Sequence, residues 1–278
     1  MKRIDAHQHF WTLSTRDGAW PPPALAPIHR DFGPADLAPH LAANDVVGTV
    51  LVQSLPTVAD THFMLGIAER HAFVKGVVGW VDLKSAQAPA QIAQLAEHRY
   101  LKGVRPMLQD LESEWILDTA VTPAVRAMVE HRLSFDALVL PRHLKALRTF
   151  AARHPALPIC IDHGAKPLIA GGEFGDWKDD MAALAEQPQV VCKLSGLVTE
   201  AGNAWRRADL APYAKHVLDC FGPSRVLWGS DWPVLNLASD YAEWVDVCRD
   251  LLSGLDAERQ ADVWGRNAAR FYRLDVDV

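Results

Sequence analysis

Two histidines separated by one residue, His7 and His9 in IDAHQHFW, are the first candidates for chemistry in this chain. Alternate residues of a β-strand face the same side, so both imidazoles are expected on one side at the end of the first strand. Two further candidates end later apolar runs, His163 in CIDHG and Asp231 in LWGSDWP. Three imidazoles and one carboxylate can hold a metal ion, or can polarise a carbonyl group beside a general base. Their convergence requires a fold that brings three distant segments together.

The order of apolar and amphipathic segments predicts such a fold. Eight short β-branched runs alternate with helical patterns, which is typical of an α/β protein with a (β/α)8 TIM barrel, here a single domain over residues 1–278. An open doubly wound sheet is the alternative, but no GxGxxG sequence follows the first strand. The predicted strands are Arg3–His9, Val46–Gln53, Val74–Val81, Leu101–Pro106, Leu133–Leu138, Pro158–His163, Val190–Ser195 and Val226–Asp231. The clearest helical patterns are Val58–His71, a segment that starts at Thr122 and Pro123, Asp240–Ser253 and Ala257–Phe271.

Residues 12–34 form the longest predicted loop and contain five prolines. Long loops in compact domains are usually functional or disordered. This one follows the first strand, and barrel chemistry occurs at the carboxyl ends of the strands. We therefore predict a semi-rigid lid that supplies part of a substrate pocket.

Composition limits the possible partners and compartment. Apolar residues make up 49% of the 278 residues, charged residues 22%, and the net charge is −6, which disfavours nucleic acid and anionic membranes as partners. No run is apolar enough to span a bilayer, and the first residues lack the apolar region of a signal peptide. The four cysteines (Cys160, Cys192, Cys220 and Cys248) form no CxxC pair, so we expect reduced thiols and a cytoplasmic location.

Several motifs together resemble one known family. They are DAHQHFW, VGWVDL, KGVRPMLQD, DHGAKP, VVCKLSGLVTEA and FGPSRVLWGSDWPV, and they cover nearly the full chain. They resemble the amidohydrolase superfamily (amidohydrolase-related family 2), and most closely its branch of sugar lactonases. The resemblance implies hydrolysis of an aldonolactone, such as a fucono- or rhamnonolactone, to the aldonic acid. It assigns His7, His9, His163 and Asp231 to the catalytic and metal-site positions.

The metal site departs from that of binuclear superfamily members, which carry a carboxylated Lys or a Glu on strand four. Here that stretch reads KGVRPML, in which Lys102 comes too early and Arg105 is a permanent cation that cannot bind a metal. A histidine on strand five is also missing, and the stretch LSFDALVLP offers Asp136 instead. The resemblance implies at most one divalent ion, such as Zn²⁺, and lactonases of this branch work without an essential metal.

On this interpretation Asp231 is the general base that takes a proton from water and passes it to the ring oxygen. His7, His9 and His163, or a metal that they hold, polarise the lactone carbonyl. A metal-dependent decarboxylase or amide hydrolase on the same barrel is one alternative. A barrel that binds a sugar acid without catalysis is another. The sugar, the ring size and the oligomeric state are left open.

Further strand-end residues are candidates for binding the sugar. Gln53 and Gln109 offer amides for hydroxyl groups, and Arg105 offers a charged donor, unless it forms a salt bridge across the barrel mouth. Trp11 and Trp232 follow strands and can stack on a sugar face, unless they are ordinary packing residues.

Lys193 shares a strand face with Ser195 and is expected to point into the polar mouth, because a lysine is rarely buried without a partner. The alternative for Lys193 is an ion pair with Asp162 or Asp136. Asp162 itself alternates with His163 and is therefore expected to face the helix layer.

Overall fold

Eight parallel strands follow one another around a barrel in chain order, in a computed structural model that describes residues 1–16 and 19–278. The first and last strands approach each other, since the backbone N–H of His9 donates to Trp232 and that of Asp231 donates to His7, both at 2.8 Å. The strands are β1 Arg3–Gln8, β2 Val46–Val52, β3 Val74–Gly79, β4 Leu101–Val104, β5 Ser134–Ala137, β6 Ile159–Ile161, β7 Val190–Leu194 and β8 Val226–Trp228. The predicted (β/α)8 barrel is confirmed.

Helices cover the outside of the strands, and side-chain caps mark where several begin. Thr57 caps the second helix and Asp240 the ninth, each accepting a hydrogen bond from a backbone N–H three residues later. The predicted helix over 257–271 is divided by a π-helical segment, Asp262–Arg266. The helices are α1 Pro34–Ala43, α2 Val58–Arg70, α3 Ala88–Ala96, α4 Thr122–Glu130, α5 Leu144–Arg153, α6 Gly175–Ala185, α7 Leu197–Glu200, α8 Arg207–Phe221, α9 Tyr241–Leu251, α10 Ala257–Ala261 and α11 Asn267–Phe271.

The strands are shorter than predicted, and this determines where polar side chains lie. β6 ends at Ile161 and β8 at Trp228, so His163 and Asp231 lie in the turns that follow the strands. At the opposite end of the barrel, Tyr272 and Leu274 from the chain terminus pack in one apolar cluster with strand residues such as Val50. The amino end is thereby closed with apolar contacts, and the carboxyl end keeps the polar groups.

In the described part of the chain, no helix is both long and apolar enough to cross a membrane.

Candidate active site

Three histidines and one aspartate meet at the carboxyl end of the barrel. The Nε2 atoms of His7 and His9 lie 3.2 Å apart, and Asp231 Oδ1 lies 3.2 Å from His9 Nε2. The same oxygen lies 3.7 Å from His7 Nε2 and 3.8 Å from His163 Nε2. We call these four side chains the reaction centre. All four residues are nearly inaccessible to solvent.

An irregularity in β1 turns His7 towards the barrel axis, the side that His9 also faces just after the strand. Three steps along β1, from Asp5 to Gln8, match only two steps along β2, which is the signature of a β-bulge. Before the bulge, Asp5 faces the helix layer, where its carboxylate accepts a hydrogen bond from Tyr241 of α9 at 3.0 Å. Beyond the bulge, His7 points inward. Simple alternation would place Asp5 and His7 on the same face of the strand, but the bulge puts them on opposite faces.

A left-handed turn after β6 overturns the prediction for Asp162. His163 has a φ of 53°, and left-handed φ values continue through Gly164, Ala165 and Lys166. This turn breaks the strand alternation, so Asp162 and His163 both face the barrel interior. The predicted orientation of Asp162 towards the helix layer is wrong.

Two glycines let the backbone pass directly beside the histidines. A Cβ on Gly196 would lie 2.6 Å from His163 Nδ1, and Gly196 also has a φ of 63°. A Cβ on Gly229 would lie 2.8 Å from the Cβ of His7. Side chains at either position would displace the rings of the reaction centre.

Hydrogen bonds determine which nitrogens face the centre. His9 Nδ1 lies 2.7 Å from the carbonyl oxygen of Val52. A carbonyl can only accept, so Nδ1 carries a hydrogen and Nε2 is the nitrogen that faces the centre. His163 Nδ1 lies 2.9 Å from Ser195 Oγ, which leaves its Nε2 directed at Asp231.

Burial and neighbouring charges keep the imidazoles of His7 and His163 neutral. Burial lowers the pKa of His163 to about 4, although Asp231 opposes the shift. Burial and then the charge of Lys193 lower the pKa of His7 well below its ordinary value. Burial would raise the pKa of Asp231, but its histidine neighbours outweigh burial and lower it, so Asp231 is ionised at neutral pH.

Next to the reaction centre, inside the barrel, lies a second buried set that we call the interior charge cluster: Asp136, Asp162, Lys193 and Tyr272. Lys193 Nζ lies 2.7 Å from Asp136 Oδ2 and 2.8 Å from Asp162 Oδ1. The hydroxyl of Tyr272 donates to Asp136 at 2.5 Å. Lys193 is fully buried, so its predicted exposure at the barrel mouth is wrong and the alternative, an ion pair, is the one observed.

Arg105 joins the two sets. Its guanidinium lies 3.2 Å from Asp162 Oδ2 and 3.4 Å from His7 Nε2. Gln53 holds Arg105, because the Gln53 amide donates to the Arg105 carbonyl at 2.8 Å and the guanidinium donates to the Gln53 carbonyl. Gln53 is fully buried, so its predicted contact with substrate is replaced by a contact with Arg105.

A cavity of about 580 Å³ opens above the reaction centre. Of the residues predicted from the sequence, its walls include His9, Arg105, Gln109, His163 and Asp231. Sequence reasoning missed other wall residues, which come from loops whose positions depend on the tertiary fold: Ser54, Leu55, Pro56, Met107, Asp110, Leu138, Lys166, Thr199, Glu200, Val234 and Leu237.

The segment 12–34 does supply part of this cavity, through Ala19, Trp20 and Leu25. Arg16 anchors the segment against the barrel, donating to Ser54 Oγ at 2.8 Å and Asp60 Oδ1 at 3.3 Å. Residues 17 and 18 of the predicted lid lie outside the described residues.

The two tryptophans predicted to contact substrate are packing residues instead. Trp11 is 1% exposed and packs edge-to-face against Trp20 and Phe32, while its indole N–H donates to the Arg30 carbonyl. Trp232 is 2% exposed and also packs against Phe32. Trp20, one layer nearer the cavity, forms part of its wall.

The chain matches one protein family along nearly its whole length. Residues 4–274 match the family described as Amidohydrolase. The chain belongs to the amidohydrolase family. The resemblance seen in the sequence motifs is thereby confirmed.

Relatives of this amidohydrolase include an L-fucono-1,5-lactonase from Burkholderia ambifaria, which is 54% identical over 98% of this chain and 96% of the relative. A crystal structure of an amidohydrolase from Burkholderia multivorans with bound HEPES superposes with a TM-score of 0.92 at 34% identity, covering 99% of this chain and 100% of the other. A second structure from the same organism, with bound zinc, has a TM-score of 0.89 at 35% identity and the same coverage.

The donor set of this amidohydrolase fits one metal ion. His7, His9 and Asp231 each place a possible ligand atom within 4.8 Å of the others, and imidazole and carboxylate are ligands that Zn²⁺ accepts. His9 Nδ1 is engaged by the Val52 carbonyl, so Nε2 is the nitrogen that faces the Asp231 carboxylate, at 3.2 Å. Nε2 and the carboxylate oxygen would be free to bind a cation between them.

Proposed function

We propose that this amidohydrolase opens a sugar lactone to the aldonic acid, and that the substrate is a deoxy-sugar lactone such as L-fucono-1,5-lactone. The observation that carries the proposal is the ionised, buried carboxylate of Asp231 at the floor of a 580 Å³ cavity, beside the neutral imidazoles of His7 and His163. A cavity of this size accommodates a monosaccharide lactone. The 54% identity to an L-fucono-1,5-lactonase supports the same reaction.

In the proposed reaction, Asp231 accepts a proton from water as the water attacks the lactone carbonyl. The negative charge that develops on the carbonyl oxygen needs nearby donors, and Arg105 supplies a fixed one. Its guanidinium is oriented by Gln53 and Asp162, so it need not reorganise during the reaction. The proton on Asp231 then passes to the ring oxygen as the ring opens.

His7, His9, His163 and Asp231 would hold a metal ion. When bound, a divalent ion would polarise the carbonyl and acidify water. We propose that it is not essential, because Arg105 already places a positive charge 3.4 Å from His7 Nε2. The structure of a Burkholderia multivorans amidohydrolase with bound zinc supports binding of an ion.

The proposal includes a cytoplasmic role in carbohydrate breakdown. The four cysteines are free thiols, and three of them are buried, which is typical of proteins from reducing compartments.

A pH-indicator assay over a panel of aldonolactones, with and without a chelator, tests the proposal. We expect rapid acid release from L-fucono-1,5-lactone that survives chelation. Activity that is lost on chelation and restored by Zn²⁺ would support lactone hydrolysis but overturn the proposal that the metal is not essential. No acid release from any lactone, with or without added Zn²⁺, would overturn the proposed function.

A further inference from the structure

The cavity has two chemically different halves. In the ring of strands, the loops after β4, β6 and β7 lie together on one side, and they contribute Gln109, Lys166 and Glu200 to the wall. The loops after β8, β1 and β2 lie on the other side, and their contribution is largely aliphatic: Leu25, Leu55, Val234 and Leu237. A ligand in this cavity therefore meets charged groups on one side and apolar groups on the other.

The polar half contains an ion pair. Lys166 Nζ lies 3.1 Å from Glu200 Oε1, and the two side chains are only 24% and 18% exposed. Gln109 accepts a hydrogen bond from the same ammonium at 3.4 Å through its Oε1. Three loops thus bring one carboxylate, one ammonium and one amide to the same wall.

Both charged residues belong to segments that hold His163. The backbone N–H of Lys166 donates to the His163 carbonyl at 2.9 Å, and Lys166 continues the left-handed turn with a φ of 49°. Glu200 ends α7, the short helix that follows Gly196, where an added Cβ would collide with the His163 ring. The ion pair is therefore placed relative to the reaction centre by short, well-determined connections.

We propose that Glu200 and Lys166, oriented by Gln109, recognise the hydroxyl groups of the substrate and so determine its specificity. This inference rests on the proposed lactonase function. A carboxylate accepts hydrogen bonds from two neighbouring hydroxyls, and an ammonium donates to a third oxygen. The aliphatic half would receive the face of the sugar without hydroxyls, including the methyl group of a deoxy sugar.

A purely structural ion pair would predict something different. If Lys166 and Glu200 only fastened two loops, their loss would disturb His163 and lower activity on every substrate equally. If they bind hydroxyls, their loss affects only substrates that carry hydroxyls. The two roles therefore separate when a sugar lactone is compared with a lactone that has no hydroxyl groups.

The experiment compares kcat/KM for L-fucono-1,5-lactone and for δ-valerolactone, a six-membered lactone without hydroxyls, in Glu200→Gln and Lys166→Met. We expect kcat/KM for the sugar lactone to fall by roughly 10- to 100-fold, the typical worth of a hydrogen bond to a charged group. For δ-valerolactone we expect a change of less than about twofold. The same contrast is expected in the inhibition constants of the two products, L-fuconate and 5-hydroxypentanoate.

The matched control is Asp118→Asn, which breaks the ion pair between Lys84 and Asp118 outside the cavity wall. We expect no change for either lactone, and thermal melting of all variants checks folding. Equal losses on both lactones, or no loss on either, would overturn the inference. A wild-type protein that hydrolyses neither lactone would instead refute the proposed function, so the two failures are distinguishable.

Discussion

The reaction centre and the interior charge cluster are adjacent, equally buried, and built from similar residue types. Each contains at least one carboxylate beside basic groups, and His7 touches both, with its Nδ1 3.2 Å from Lys193 Nζ. They differ in what satisfies their charges. The carboxylate of Asp136 is neutralised by Lys193 and hydrogen-bonded by Tyr272. The carboxylate of Asp231 meets neutral imidazoles and a cavity.

The contrast shows that burial of a charge does not identify a functional group. Burial would raise the pKa of Asp162, but Lys193 and then His7 lower it well below its usual range, and no solvent reaches it. A charge that is saturated by internal partners stabilises the barrel, whereas a charge that faces a cavity retains the capacity to bind a ligand or transfer a proton. Four tests examine this distinction.

The largest expected effect comes from Asp231→Asn. The variant keeps the shape of the side chain but cannot accept a proton from water, so we expect kcat for L-fucono-1,5-lactone to fall by roughly 100- to 10,000-fold. The free energy of unfolding should change by no more than about 1 kcal/mol, because groups at active sites are selected for function and not for stability. Steady-state kinetics and urea denaturation measure the two quantities. If the variant retained more than a tenth of the wild-type kcat, Asp231 would not be the general base.

Lys193→Met should behave in the opposite way. It leaves Asp136 and Asp162 buried without their main cationic partner, and breaking a buried ion pair typically costs about 3–5 kcal/mol. We expect a large loss in the free energy of unfolding, measured by urea denaturation. Lys215→Met, at an exposed ion pair with Asp219, is the control and should change stability by less than about 1 kcal/mol. If Lys193→Met were as stable as the wild type, the interior charge cluster would not be a stabilising element.

The sequence allowed the reaction centre to be predicted because strand ends can be located from apolar runs. His163 and Asp231 end such runs. In a barrel the carboxyl ends of all strands lie at the same rim, independently of the conformation of the loops. The same reasoning failed for Lys193, since alternation gives the face of a strand but not the depth along the barrel axis. Ser195, two residues further, contacts His163, whereas Lys193 lies inside.

Two other features depend on backbone conformation that apolar patterns do not encode. Asp162 faces inward in ordinary alternation with Cys160, and the left-handed φ of His163 turns that residue inward as well, which nothing in CIDHG indicates. Lys166 and Glu200 are 34 positions apart and meet only because two loops fold over the same rim. Their motifs, DHGAKP and VVCKLSGLVTEA, did signal the family, but the sequence alone did not indicate that the two charges form a pair.

The pH dependence of stability gives a third test, of intermediate size. His163 has a pKa of about 4 in the folded protein, against an ordinary value of 6.5, because it is buried. Between these values the unfolded chain binds a proton that the folded protein does not, so His163 reduces stability as the pH falls from 6.5 to 4. We expect the wild type to lose about 2–3 kcal/mol over this range relative to His163→Gln. Urea denaturation of chelator-treated protein at several pH values measures this, and a pH-independent difference would contradict the neutral state of His163.

The distinction between saturated and cavity-facing groups extends to the aromatic side chains, where the expected effects are smallest. Trp20 belongs to the cavity wall, and Trp11 packs directly behind it with its N–H bound to the Arg30 carbonyl. We expect Trp20→Ala to raise KM for the sugar lactone by roughly 3- to 10-fold, the usual worth of one aromatic contact. Trp11→Phe, which keeps an aromatic ring behind Trp20, should leave KM within about twofold while lowering the melting temperature slightly. If the two variants raised KM equally, Trp11 would contribute to substrate binding as much as Trp20 does, although it is buried behind the cavity wall.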